Sequence, residues 1–130
     1  MNDRFRFRAW DNREEKYIYN AQDQYDDEVE CFGNMFDTYG DRYAVEQCTG
    51  LKDKNGKLIY EGDIIKCSYG SEYYVGCVVW DSEEIQFSME VNEELYSFSQ
   101  HSESHKIEII GNIHENPEMI DENNRDQGRQ

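Results

Sequence analysis

Three histidines, four cysteines and a few paired acids are the side chains of this 130-residue chain best suited to chemistry. His101 and His105 sit in "SQHSESHK", the H-x3-H half of a zinc site, but no third soft ligand follows at zinc spacing. His114 falls at the end of a strand-like run and reads as a strand-end residue rather than a base. Cys31, Cys48, Cys67 and Cys77 contain no C-x-x-C pair, and four cysteines allow three pairings among which sequence does not choose. Glu83-Glu84 and Glu93-Glu94 are neighbours that alternate faces in an extended chain, so neither pair converges as acid and base. Serine, histidine and acids all occur, yet a triad is defined by geometry and not by presence. No catalytic residue, metal site or cofactor is assigned, and the expectation is a protein that is not an enzyme.

The remaining chemical candidate is "KDKNGK" at 52–57. Phosphate loops converge several backbone N–H groups at the start of a helix. Here one glycine sits in a turn, and the strand-like Leu58-Ile59-Tyr60 follows, so the P-loop pattern fails. Lys52, Lys54 and Lys57 read as solvent-facing partners of Asp53, Glu61 and Asp63. They are also candidates, with Arg4, Arg6 and Arg8, to touch an acidic partner.

Charge narrows the partners. The chain has 29 acids against 13 lysines and arginines, a formal charge of −16, which repels nucleic acid and attracts basic surfaces. Direct nucleic-acid binding is therefore not expected. Bases gather at the N-terminus, whereas no lysine or arginine lies between Lys66 and Lys106. Glu83, Glu84, Glu90, Glu93 and Glu94 fall in that span and define a candidate acidic face. No secretory h-region follows Met1 and no apolar run approaches a membrane span. The expectation is a cytoplasmic protein with free, partly buried thiols.

These candidates must be positioned by strands. "RFRFRAW" (4–10) alternates strictly, predicting a strand with Phe5, Phe7 and Ala9 inward and the three arginines outward. "KYIY" (16–19) predicts a second strand after a turn at Asp11-Asn12. Across 20–47, Phe32, Phe36, Tyr39 and Tyr43 recur at helical spacing, but Gly33 and Gly40 interrupt them. Both a frayed helix and an irregular aromatic excursion fit. "LKDKNGKLIY" predicts a hairpin with a type I′ turn at Asn55-Gly56, and Gly62 predicts the corner into "DIIKCSY" (63–69). "YYVGCVVWD" (73–81) reads as a strand with a bulge or bend at Gly76. "EIQFSME" (84–90) reads as a strand with Ile85, Phe87 and Met89 on one face, paired to "ELYSFS" (94–99) across Val91-Asn92-Glu93. "HKIEIIGNIHE" (105–115) places Ile107, Ile109 and Ile113 inward before Pro117. Short strands with regular turn signals predict a small barrel or sandwich, and closure would remove its edges. No internal repeat is expected. The length predicts one domain.

"FRAWD" (7–11), "TGLKDKNGKLIYEGDII" (49–65), "VVWD" (78–81) and "IEIIGNIHENPEMI" (107–120) together resemble the YopX family of phage and prophage proteins. Residues 20–47 carry no matching motif. Cys48 stands where many relatives carry an aromatic residue, which implies different packing there. The resemblance implies a mainly β fold with a C-terminal SH3-like barrel, a phage or prophage origin and self-association. It supplies no reaction. The organisation expected is an N-terminal extension over 1–47 packing on a barrel over 48–120, then a solvated tail over 121–130.

The function expected is that of a self-associating interaction protein, with the "RFRFR" strand of one protomer meeting the acidic surface of another. Two alternatives stand beside it. One is an acidic inhibitor of a host nuclease or DNA-binding protein, imitating duplex charge with Glu83, Glu84, Glu90, Glu93 and Glu94. The other is a protein that sequesters a nucleotide between protomers.

Overall fold

Alternating hydrophobicity and turn chemistry organise this chain, and helix contributes little. In the computed structural model, residues 2–23, 32–36, 41–69, 71–97 and 106–120 are described. Nine strands and a five-residue helix appear among them. The chain divides into two compact units, Met1–Gly50 and Leu51–Gln130. The expected tail over 121–130 and Tyr39 lie outside the described residues.

The first unit contains β1 (Phe7–Asp11), β2 (Lys16–Tyr19), α1 (Phe32–Phe36) and most of β3 (Tyr43–Lys52). β1 is central and antiparallel to both neighbours, with Ala9 opposite Ile18 on one side and Val45 on the other. Ala9, Ala21, Met35 and Tyr43 form a small buried core, packed by Phe7, Ile18, Phe32 and Val45. The Phe7 and Phe32 rings lie 5.2 Å apart. The aromatic period of 32–43 is therefore split: Phe32 belongs to α1, which spans only five residues, while Tyr43 opens a strand because its backbone is registered against Asp11.

The N-terminal strand starts later than its alternation predicts. Asp3–Phe5 is a 3-10 turn: Asn2 Oδ1 accepts from the Arg4 N–H at 3.0 Å, and the Arg6 N–H donates to the Asp3 carbonyl at 3.0 Å. A side-chain cap thus competes successfully with the strand ladder. Phe5 is consequently exposed rather than inward.

The second unit contains β4 (Leu58–Tyr60), β5 (Asp63–Tyr69), β6 (Glu72–Asp81), β7 (Gln86–Val91), β8 (Glu94–Ser97) and β9 (Ile107–Asn112). Five of these form an antiparallel sheet in the order β8-β7-β6-β5-β9, curled into a half-barrel. Ile59, Ile65, Cys67, Val78, Met89, Val91 and Ile107 make its core, with Phe87, Tyr96 and Ile109 packed against them. The sheet keeps two edges, β8 and β9, where closure was expected. The β9 edge is covered by a turn instead. Lys54 N–H donates to the Ile107 carbonyl at 2.8 Å, and Asp53 Oδ2 accepts from the Ile109 N–H at 3.1 Å.

Several local expectations change. Gly76 marks no bulge against β5, since the register Ile64↔Cys77, Ile65↔Gly76, Lys66↔Val75 continues through it. A Cβ there would lie 2.5 Å from the Glu90 carbonyl oxygen and 2.7 Å from Met89 Cγ, so glycine permits β7 to approach. The irregularity lies instead between β5 and β9: Ile64 faces Gly111 and Ile65 faces Ile109, so the extra residue, Ile110, is on β9. Ile85 is exposed in the turn before β7, with φ at +55°, and not inward. Ile113 is likewise exposed. β9 ends at Asn112 rather than at Pro117, because Asn112 Oδ1 accepts from the His114 and Glu115 N–H groups at 3.1 and 2.9 Å.

The hairpin turns exchange roles. Only Gly56 takes a positive φ in the β3–β4 turn, at +80°, and Asp53 N–H donates to the Lys57 carbonyl at 2.8 Å. That is a three-residue loop with a left-handed glycine at its end. The two-residue turn with both φ values positive is found at Asn92 (+51°) and Glu93 (+68°), between the paired Val91 and Glu94. Gly62, at +84°, makes the expected corner into β5.

Candidate interaction surface

Buried carboxylates organise the turns that carry the exposed side chains. Asp11, Asp53, Asp63 and Asp81 are all buried. Asp53 Oδ1 accepts from the Asn55 and Lys57 N–H groups at 2.9 and 3.0 Å, while Oδ2 holds Ile109. Burial alone would raise the Asp53 pKa, but these three N–H donors outweigh it and hold the carboxyl below its ordinary value. Asp63 Oδ2 accepts from the Tyr60 N–H at 2.8 Å. A short polar side chain answering backbone donors explains why aspartate occupies these sites.

Two of these aspartates occupy matching hairpins, contrary to the expectation of no repeat. Trp10-Asp11-Asn12-Arg13-Glu14 joins β1 to β2, and Trp80-Asp81-Ser82-Glu83-Glu84 joins β6 to β7. In the first, Asp11 Oδ1 accepts from Arg13 and Glu14 N–H at 2.9 and 3.2 Å. In the second, Asp81 Oδ1 accepts from Glu83 and Glu84 N–H at 3.0 and 3.2 Å. Left-handed Glu15 (φ +54°) and Ile85 (φ +55°) close the two turns. Registers match: Trp10↔Tyr17 and Asp11↔Lys16 correspond to Trp80↔Phe87 and Asp81↔Gln86. Each tryptophan meets its partner ring edge-on at 5.0 Å. The W-D-x-x-E spacing at 10–14 and 80–84 was the available sequence signal.

The hairpins differ in what surrounds them. Arg42 forks onto Asp11, Nε to Oδ1 at 3.1 Å and Nη2 to Oδ2 at 2.9 Å. That pairing, foremost among its causes, holds the Asp11 carboxyl below its ordinary pKa against the effect of burial. Trp10 is 7% exposed, whereas Trp80 is 47% exposed and Ile85 75%.

The sequence-derived cations are divided by the fold. Arg8, expected to face solvent, is buried: its Nε donates to Glu46 Oε1 at 2.8 Å, and its guanidinium lies 4.1 Å over the Tyr17 ring. Tyr17 Oη donates to the same Glu46 oxygen at 3.0 Å. Arg6 pairs with Asp3 at 3.0 Å and donates to Asn20 Oδ1 at 3.1 Å. Arg4 is exposed, its stem lying where a side chain on Gly50 would fall. Lys52, Lys54 and Lys57 are exposed on the β3–β4 hairpin, and Lys54 Nζ lies 3.5 Å from Glu108 Oε1.

The acidic residues are also divided. Glu83 and Glu84 occupy the β6–β7 turn, whereas Glu93 and Glu94 occupy the β7–β8 end, about 20 Å away along the six residues of β7. Glu90 is exposed on β7, opposite Leu95. Tyr96 Oη donates to Glu94 Oε2 at 3.0 Å, which, with burial, raises the tyrosine pKa. The exposed large apolar residues of this unit include Tyr73, Tyr74, Trp80, Ile85 and Leu95. Tyr74 stacks on Tyr96 with centroids 6.4 Å apart.

Cys48, Cys67 and Cys77 are free and buried, and burial pushes the Cys67 thiol up. Cys31, His101 and His105 lie outside the described residues. No group of three metal-ligating side chains occurs among the described residues. No helix among them is long and apolar enough to cross a membrane.

An antiparallel two-sheet protein with one sheet curled into a half-barrel, and turns pinned by buried aspartates, is the class that this fold defines. The family model described as "YopX protein" matches residues 6–121. The chain therefore belongs to the YopX family. It is similar to the crystal structure of protein EF1440 from Enterococcus faecalis, with 26% identity and a TM-score of 0.61, covering 88% of this chain and 96% of that one. The crystal structure of yopX from Bacillus subtilis matches with 19% identity and a TM-score of 0.48, over 91% of this chain and 98% of that one. Among curated proteins, none matches.

Proposed function

We propose that this chain is a phage- or prophage-encoded interaction protein that acts in the host cytoplasm by binding another protein, without catalysing a reaction. The observation that carries the reading is the exposure of Tyr73, Tyr74, Trp80, Ile85 and Leu95 in a unit that also exposes Glu83, Glu84, Glu90, Glu93 and Glu94. Tyrosine and tryptophan dominate the energetics of protein interfaces, and carboxylates around them select basic partners. A host nuclease or DNA-binding protein has the required basic surface. Self-association through the N-terminal arginines is the weaker arm of the reading, because Arg6 and Arg8 are already paired within the chain.

The test is affinity capture from lysate of a bacterial host, repeated with two variants. One carries Trp80→Ala and Ile85→Ser; the other carries Glu83, Glu84, Glu93 and Glu94 replaced by Gln. Capture of a basic protein that both variants lose supports the reading. Capture indifferent to both overturns it. Light scattering in moderate salt tests the other arm, where a strict monomer at all concentrations removes self-association.

A further inference from the structure

The two Trp-Asp hairpins share turn, register and ring packing, yet one buried carboxylate is satisfied and the other is not. Asp11 is 2% exposed and both of its oxygens receive the Arg42 guanidinium. Asp81 is 7% exposed, and its Oδ1 takes the two turn N–H groups. Among the described residues, no donor reaches Asp81 Oδ2. A carboxylate oxygen withdrawn from water without a donor is costly, so the site is built to receive one.

We propose that Asp81 anchors a binding site for an arginine carried on an extended segment of a separate, basic protein, held as Arg42 is held on Asp11. The proposal rests on the interaction reading above and names its site. The first hairpin shows where such an arginine comes from. There, β3 lies beside β1 as far as Asp11↔Tyr43, so the residue before Tyr43 lands on the carboxylate. Beside β6, the β5 register ends at Ile64↔Cys77, four residues short of Asp81. An extended segment alongside Val79–Asp81 would repeat the β3 arrangement, which is strand addition with one anchoring side chain.

The chemistry selects arginine and a second protein. Arginine matches a carboxylate with two parallel donors, and lysine offers a point charge. This chain is at −16 and commits Arg6, Arg8 and Arg42 to its own acids. The exposed Glu83 and Glu84 would steer a basic segment to the turn, and exposed Trp80 and Ile85 give its aliphatic parts an apolar rim.

The probe is the capped peptide acetyl-Lys-Arg-Tyr-Ala-Val-Lys-amide, which keeps Arg42 and the first three residues of β3 and replaces their acidic flanks. Binding to the full chain is measured by calorimetry, with the Glu83 and Glu84 amides followed by NMR. Asp81→Asn is the informative variant, because its side-chain oxygen still accepts the two turn N–H groups. Asp81→Asn, and separately a peptide with Arg replaced by Lys, should each weaken binding about tenfold or more. Equal affinity of Asp81→Asn, or no saturable binding up to about 1 mM peptide, overturns the proposal. Should Asp81→Asn fail to fold, wild-type NMR decides: shifts centred away from Glu83 and Glu84 overturn it. If Asp81→Asn turns a self-associated form into monomer, the occupant is a second copy and the separate protein is refuted. If lysate capture survives Asp81→Asn, this site falls while the interaction reading stands.

Discussion

Replacing Asp53 with alanine tests the claim that one carboxylate closes the half-barrel's β9 edge. The substitution strands three N–H donors, those of Asn55 at 2.9 Å, Lys57 at 3.0 Å and Ile109 at 3.1 Å. Hydrogen bonds to an ionised acceptor contribute about 1.5–3 kcal/mol each, which summed would exceed what single substitutions usually cost. Asn55 and Lys57 are exposed and regain water, so about 0.5–1 kcal/mol each is realistic. The Ile109 N–H is half-buried beside the core and forfeits more, about 1.5–2 kcal/mol. Asp53→Ala should therefore destabilise the protein by about 3 kcal/mol. Asp53→Asn keeps Oδ1 and turns an amide toward Ile109, losing about half as much. Urea unfolding at neutral pH gives the total, and amide exchange at Ile109 and Lys54 localises it. A loss below about 1 kcal/mol, or unchanged Ile109 protection, would refute the reasoning. The pH dependence has a fixed sign. A carboxyl whose folded pKa lies below its unfolded value contributes fully above the unfolded pKa, and that contribution disappears as pH falls through the folded one. Acid unfolding of Asp53→Ala should accordingly be less steep than that of wild type.

Three further outcomes follow from the packing. Arg8→Ala should cost about 3 kcal/mol in urea by taking the guanidinium from buried Glu46, to which the Tyr17 hydroxyl still donates, whereas Arg8→Met with Glu46→Leu should recover much of it; a single loss under about 1 kcal/mol would contradict the buried pair. Gly76→Ala should destabilise by about 1–3 kcal/mol, since the added Cβ would meet the Glu90 carbonyl at 2.5 Å, and an unchanged midpoint would show that β7 yields there. Cys67 should react with iodoacetamide at pH 8 far more slowly folded than in urea, because burial raises its pKa; rapid labelling of the folded protein would contradict the burial.

Much of the frame was legible because the short-range signals coincide with what they specify. "KYIY" is β2, "DIIKCSY" is β5, and Gly62 turns the corner from β4 into β5, since each depends on alternation or on one glycine's freedom. Where two local preferences compete, the pattern was ambiguous. "RFRFR" alternates as a strand would, but Asn2 and Asp3 offer caps that win over its first residues. Asn55-Gly56 is a strong hairpin signal, yet Asp53 holds Lys57 and imposes the longer loop. The candidate site was the least legible part. Trp80 and Trp10 share a local context and differ several-fold in exposure, which no pattern in a six-residue window encodes.

The sequence by itself determined that this is a mainly β chain, where several of its turns fall and that its composition is acidic, because period, backbone freedom and charge are properties of neighbouring residues. Its quoted motifs also carried the family resemblance that the 6–121 match shows. Tertiary structure alone decided which charges remain available. Arg8 vanished into Glu46, thirty-eight residues away, Arg42 closed over Asp11 across thirty-one, and Asp81 was left with one oxygen unanswered among the described residues. A charge is usable only if no partner reaches it, and which partner reaches it is set by strand order and register rather than by spacing along the chain.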